Sequence, residues 1–316
     1  MKSQESWSAD SVATVALEER QGDWRADGTV VGREQKPSGA WRVTFRRLRR
    51  SHTAMFGMGI AALVFLVAIF ADVIAPYGYA DMHPENMLQG PSWQYWFGTD
   101  QMGRDVLSRV IYGSRISIYV GVVSTIFGAL MGIPLGIIAA YYGGVIDNFI
   151  MRLIDIWVAF PNFLLALVIS VILGPSVTNV VIALAIVRVP TQARVMRGTA
   201  LSIKENEYVQ AARAVGVQDF RLLLRYILPN CMAPIIVLGT LEVATAIIVE
   251  AALSFLGLGT QPPTPSWGWD LRANVVFIED NPWIAIFPGL AIFITVLGFN
   301  LFGDGLRDAL DPRLKQ

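Results

Sequence analysis

The 316-residue chain has a single cysteine, Cys231. One thiol excludes an internal disulfide framework and any metal site built from clustered cysteines. Two histidines, His52 and His83, leave little for a histidine-based metal or acid–base centre. Charge is also scarce: Asp, Glu, Lys and Arg make up 16% of the residues, against about 25% in a soluble domain. The 25 basic and 25 acidic residues cancel. With no positive excess, the chain does not read as a nucleic-acid binder. It contains no H-E-x-x-H, no G-x-S-x-G and no clustered nucleophile–base set, which puts a membrane-embedded enzyme last among the readings. What is abundant is apolar: 54% of the residues are hydrophobic. A soluble protein so poor in charge could not cover its own surface, so the excess must face lipid.

A bilayer core needs about 20 apolar helical residues per crossing. Uncharged runs cover Ala54 to Ala71 and Ile116 to Tyr142. A third run is too long for one span and splits at Leu173-Gly174-Pro175-Ser176, a turn signal. It gives helices from about Asn148 to Ile172 and from about Val177 to Ala193. Two more run from about Cys231 to Leu258, carrying Glu242 and Glu250, and from about Trp283 to Phe302. The expectation is an all-α polytopic membrane protein with six transmembrane helices. The first span begins about 50 residues in and is too long for a signal-peptide core, so it reads as a retained anchor. Residues 1–40 are polar and aperiodic and read as a disordered tail. Residues 41–316 form the transmembrane domain.

Six spans place both termini on one side. Sixteen Lys and Arg fall on the segments at 42–50, 152, 188–225 and 307–315, against Arg104, Arg109, Arg115 and Arg272 on the other side. By the positive-inside rule the termini are cytoplasmic. The outer loops lean acidic, with Asp81, Glu85, Asp100, Asp105, Asp270, Glu279 and Asp280.

The long inner loop, about 196–230, carries the most local signal. Ser202-Ile203-Lys204-Glu205 fits a capping box. Tyr208, Ala211, Ala212 and Val215 follow at helical spacing on one face. Gly216 stands where a left-handed C′ residue ends a helix. Asp219 can cap a second helix, on which Phe220, Leu223, Leu224 and Ile227 share a face, with Arg221 and Arg225 off it. Pro229 marks the return to the membrane. Two short amphipathic helices joined by a glycine turn serve equally well as a docking surface or as a lid packed on the bundle end.

Glu207-Tyr208-Val209-Gln210-Ala211-Ala212-Arg213-Ala214-Val215-Gly216, followed by Ile227-Leu228-Pro229-Asn230, resembles the EAA loop of bacterial ABC importer permeases. Gln210 and Tyr226 depart from that pattern. Phe97 to Arg109 and Glu250 to Gly259 resemble further segments of the dipeptide/oligopeptide/nickel branch, specifically its "C"-type permease subunit. The resemblance spans roughly residues 45–314. It implies a type I ABC importer permease in the bacterial inner membrane that moves di- or oligopeptides by alternating access. Nickel or another small solute is the variant within that reading. An ion-coupled secondary transporter or channel is the alternative outside it. The implied partners are a second homologous permease, two cytoplasmic ATP-binding subunits, an extracytoplasmic solute-binding protein and the lipid bilayer. Without a G-x-x-x-x-G-K-[ST] loop, the chain is expected to bind no cofactor, with ATP-Mg held by the partner ATPases. The resemblance assigns ATPase coupling to Glu207, Tyr208, Ala211, Ala212, Arg213, Gly216, Asp219, Leu228 and Pro229. Gly216 sets the turn, Ala211 and Ala212 supply the contact face, and Leu228-Pro229 connects to the fifth span.

Charges within spans are costly and mark candidate functional positions. Glu242 and Glu250 are candidate pathway residues, eight positions apart and able to share one broad helix side. Asp155 and Arg188 read first as an interfacial ion pair or snorkelling side chains, with a role in contacting solute as the second reading. Gly128, Gly132 and Gly136 form a small-residue stripe for close helix approach, and Pro134 within it is a kink candidate. Arg104 to Tyr112 reads as an amphipathic helix on the outer surface. Trp267, Trp269 and Trp283 suit the membrane interface.

Overall fold

The computed structural model describes residues 48–49 and 51–310. The tail at 1–40 and the basic residues at 42–47, 50, 313 and 315 lie outside them. Helix α1 (His52–Ile69) starts where the Ser51 hydroxyl accepts the Ala54 N–H at 3.3 Å. A short helix α2 (Ala71–Ile74) follows it. Helix α3 (Val106–Tyr142) runs unbroken through Pro134 for 37 residues, about 55 Å at 1.5 Å per residue. Asp105 caps it, accepting the Ser108 N–H at 2.8 Å.

The next two helices correct the sequence reading. Helix α4 (Gly144–Val158) and helix α5 (Asn162–Leu173) are not one straight span but meet at 83°. Pro161 stands at the break. It disfavours helical backbone at the preceding residue and cannot donate to the preceding turn. At 15 and 12 residues, the two pieces are about 22 and 18 Å long, each short of a core of about 30 Å.

Helix α6 (Val177–Lys204) leads to two short helices, α7 (Glu207–Ala214) and α8 (Asp219–Leu222). A π-turn at Leu223–Ile227 joins α8 to α9 (Leu228–Phe255). Pro229 has no N–H to offer the turn before it, and the widened turn accommodates it, with the Leu228 N–H bonded to the Leu223 carbonyl. The second loop helix is therefore the start of a continuous helix, not a separate element. Helix α10 (Trp267–Asn274) and helix α11 (Trp283–Leu310) complete the chain. Among the described residues, five helices are long and apolar enough to cross a membrane, and counting the bent α4–α5 pair as one span makes six.

The glycine stripe explains the most extensive helix contact, between α3 and α6. A Cβ on Gly132 would lie 2.6 Å from the Gln192 Cβ, and one on Gly128 2.9 Å from the Arg188 Cβ. Only small residues allow that approach, and the partner is within the chain. Large apolar side chains such as Phe56, Leu63, Ile69, Phe149 and Phe293 remain outward, as expected of surfaces covered by lipid or another subunit.

Candidate functional site

At the Tyr142 end of α3, the loop folds in a way that splits both predicted faces. Val209 and Ala212 point inward, into a cluster with Ile137, Tyr141, Met196, Ala200, Leu222 and Ile227. Tyr208, Ala211 and Val215 face outward, as do Phe220 and Leu224. Val215 is 80% exposed and Phe220 74%. The spacing of Tyr208, Ala211 and Val215 makes them one outward stripe, apolar and uncovered.

The turn forms as expected. Gly216 has φ of 82°, a conformation that disfavours a Cβ. Its N–H bonds to the Arg213 carbonyl at 3.0 Å and the Val217 N–H to the Ala212 carbonyl at 3.1 Å. The second is the 6→1 bond of a Schellman ending.

The predicted caps are not used. Helix α6 continues through Ser202 to Lys204, so no capping box forms there. Asn206 and Gln218 hold the cap positions of α7 and α8, neither with a side-chain cap bond. Asp219 instead accepts the Tyr141 hydroxyl at 2.5 Å. The Arg213 guanidinium sits 5.3 Å from the Tyr141 ring centre. The Lys204 ammonium donates to the Ala140 and Tyr141 carbonyls at 3.3 and 2.9 Å, placing a cation at the C-terminus of α3 where the helix dipole favours it. Tyr141 and Lys204 thus fasten the loop to the bundle. No local pattern marks them, because Tyr141 and Asp219 are 78 positions apart. Glu207 is exposed in the first turn of α7, Leu228 is half-buried and Pro229 exposed.

Within the membrane segments, Glu242 and Glu250 part company. Glu242 lines a cavity of about 320 Å³ with Asn162, Leu184, Arg188, Thr191 and Leu241. It accepts the Gln192 side-chain amide at 2.6 Å. Glu250 is 1% exposed and is held by Ser254 at 2.7 Å and Ser117 at 3.3 Å, away from that cavity. The pair does not share one open side. Arg188 does not snorkel either: it is buried, and donates to the Glu242 carbonyl at 3.0 Å and the Thr125 hydroxyl at 3.2 Å. Asp155 pairs with Arg194 at 2.7 Å, and Asp147 with Arg197 at 2.6 Å.

The Val106 end corrects the outer-surface helix. The segment from Arg104 to Tyr112 is not a surface element: Arg104, Asp105, Ser108 and Arg109 are all buried, and the helix leads directly into the span. Arg104 pairs with Asp100 at 2.7 Å, and Arg109 with Asp270. Arg109 also donates to the Tyr79 carbonyl at 3.0 Å. Trp267 is likewise internal rather than interfacial, with its indole N–H on the Val110 carbonyl at 2.9 Å.

Comparison with known proteins fits this architecture. Residues 132–316 match the family described as "Binding-protein-dependent transport system inner membrane component". Residues 39–91 match the "N-terminal TM domain of oligopeptide transport permease C". The chain is 48% identical over 275 residues to the "Dipeptide transport system permease protein DppC" of Alkalihalophilus pseudofirmus, covering 87% of this chain and 90% of that protein. It is 48% identical over 278 residues to the "Glutathione transport system permease protein GsiD" of Escherichia coli O157:H7, covering 87% and 91%. Among solved structures, the inward facing MetNI methionine ABC transporter matches with a TM-score of 0.53 and 18% identity, over 64% of this chain and 96% of that one, a likeness of fold. The chain belongs to the binding-protein-dependent inner-membrane transport components, in the branch of peptide-type ABC permeases.

Proposed function

We propose that this chain forms one half of the membrane channel of a peptide importer, pairs with a second homologous permease, and docks a cytoplasmic ATPase on its α7–α8 loop. The observation that carries the reading is the exposed stripe of Tyr208, Ala211 and Val215 beside the Gly216 turn. An apolar face on a structured loop, rigidly tied to α3 through Tyr141, is suited to a groove in a partner. Motion of that partner would pass to the spans through α8, which is continuous with α9. The abundance of Lys and Arg on this side supports cytoplasmic termini. ATP-Mg binds and is hydrolysed on two separate ATPase subunits, and an extracytoplasmic binding protein delivers the solute. Di- or oligopeptides are favoured as substrate because the similar permeases carry dipeptide and glutathione names.

The test is coexpression with the ATPase, permease and binding-protein genes that neighbour its own. Co-purification with an ATPase and ATP-dependent uptake of a labelled di- or tripeptide into proteoliposomes is the expected result. A chain that purifies alone, or a complex that takes up no peptide, overturns the proposal.

A further inference from the structure

Three arginines are buried among the described residues: Arg104, Arg109 and Arg188. The first two each meet an aspartate. Arg188 meets no carboxylate within ion-pair distance among the described residues. Its partners are neutral oxygens: the Glu242 carbonyl, the Thr125 hydroxyl and, at 3.5 Å, the Thr245 hydroxyl. Glu242 attracts it through space, but the Glu242 carboxylate is held by Gln192. The Arg188 Nε is enclosed with no hydrogen-bond partner. Nη2, whose one contact is the 3.5 Å one to Thr245, is the least engaged terminal nitrogen of the guanidinium and can donate a charge-assisted hydrogen bond to a carboxylate. A buried cation without a contacting counter-charge is costly to keep in a membrane protein.

Arg188 lines the 320 Å³ cavity together with Glu242, whose carboxylate is engaged by Gln192; the other walls are mainly apolar, with hydroxyl and amide groups from Thr191, Thr245 and Asn162. That volume lies in the range of small-molecule pockets, about 300–1,000 Å³. Leu238 and Leu241 also line a second cavity of about 600 Å³, which reaches Thr199, Asn230 and Arg307. The two cavities follow one another along α6 and α9.

Resting on the importer reading, we propose that Arg188 is a solute-contacting residue: it takes the carboxylate of the transiting solute, so that this cavity selects zwitterionic or anionic solutes with a free C-terminus.

The experiment uses the assembled transporter and two photoreactive probes, alanyl-photoleucine and its C-terminal amide, with the labelled residues mapped by mass spectrometry. In the wild type the free acid should label cavity residues such as Leu184, Thr191 and Leu241 about tenfold more than the amide, the size of one lost charge-assisted contact. Arg188→Met should bring the ratio to about one, and Arg188→Lys should retain part of the preference, because a point charge remains. Equal labelling by acid and amide in the wild type overturns the proposal. So does an undiminished ratio in Arg188→Met, or no cavity labelling by either probe. If Arg188→Met does not assemble, Arg188→Lys is read instead, and a ratio as high as that of the wild type overturns the proposal. Failure of the wild-type complex to take up any peptide sinks the importer reading, whereas uptake with no acid–amide preference in labelling sinks only this subsite.

Discussion

The two ends of α3 solve opposite problems. At its Val106 end, charged side chains are buried and matched: Asp100 with Arg104, and Arg109 with Asp270. At its Tyr142 end, apolar side chains are exposed and unmatched: Val215, Phe220 and Tyr208. The paired charges hold the start of α3 to Asp100 in the segment before it and to α10. An uncovered apolar stripe on a well-fastened loop is complete only with a partner. On the proposed coupling role, the difference separates a structural end from a working end, and each variant below tests that division.

The largest expected effect is at the matched end. Asp270→Ala leaves Arg109 buried with Asp100 as its nearest carboxylate, 3.9 Å away. Breaking a buried pair costs about 3–5 kcal/mol, so the purified complex should melt much earlier or fail to accumulate. Gly132→Val comes next. Its side chain would collide with Gln192 and the Val189 carbonyl, 2.8 Å from the new Cβ. Overpacking costs about 1–3 kcal/mol, seen as a lower melting temperature with the loop intact.

Gly216→Val strains a residue at φ 82° by about 1–3 kcal/mol. No neighbouring atom lies within 4 Å of a Cβ there, so the global fold should survive. Solute-stimulated ATP hydrolysis should drop, and normal stimulation would refute the role of the turn. The smallest effect is Asp72→Asn, at the exposed pair with Arg115. The hydrogen bond from Arg115 holds the Asp72 carboxyl below its ordinary value. A depressed acid contributes stability above its unfolded value and loses it as the pH falls through the folded one. Variant and wild type should therefore converge in acid, and salt should erase the small difference between them at neutral pH.

Much of this was legible in one chain. Runs of uncharged residues located the spans, and the Gly128–Gly132–Gly136 stripe pointed to a close helix contact. Gly216 announced its turn. What sequence spacing could not see was non-local. Arg104 and Arg109 looked like the wet face of a surface helix because their counter-charges include a residue 161 positions after Arg109. The 83° bend at Pro161 hid inside a continuous apolar run, where hydropathy has no contrast. Helical periodicity grouped Ala211 with Ala212, but adjacent residues point about 100° apart; only packing on Met196 and Tyr141 decides that Ala212 goes in and Ala211 out. Arg188 was read first as an interfacial pair or snorkelling charge, and only second as a solute contact, because a lone arginine near a span end gives no sign of the cavity beside it.

The most direct measurement compares the two ends in one assembled, transporting complex. A photo-crosslinking amino acid is placed at Val215 in one preparation and at Trp93, 97% exposed, in another. Crosslinking of Val215 to the ATPase subunit, with none from Trp93, is the predicted result. A transporting complex in which Val215 crosslinks only to lipid or to this chain would contradict the account.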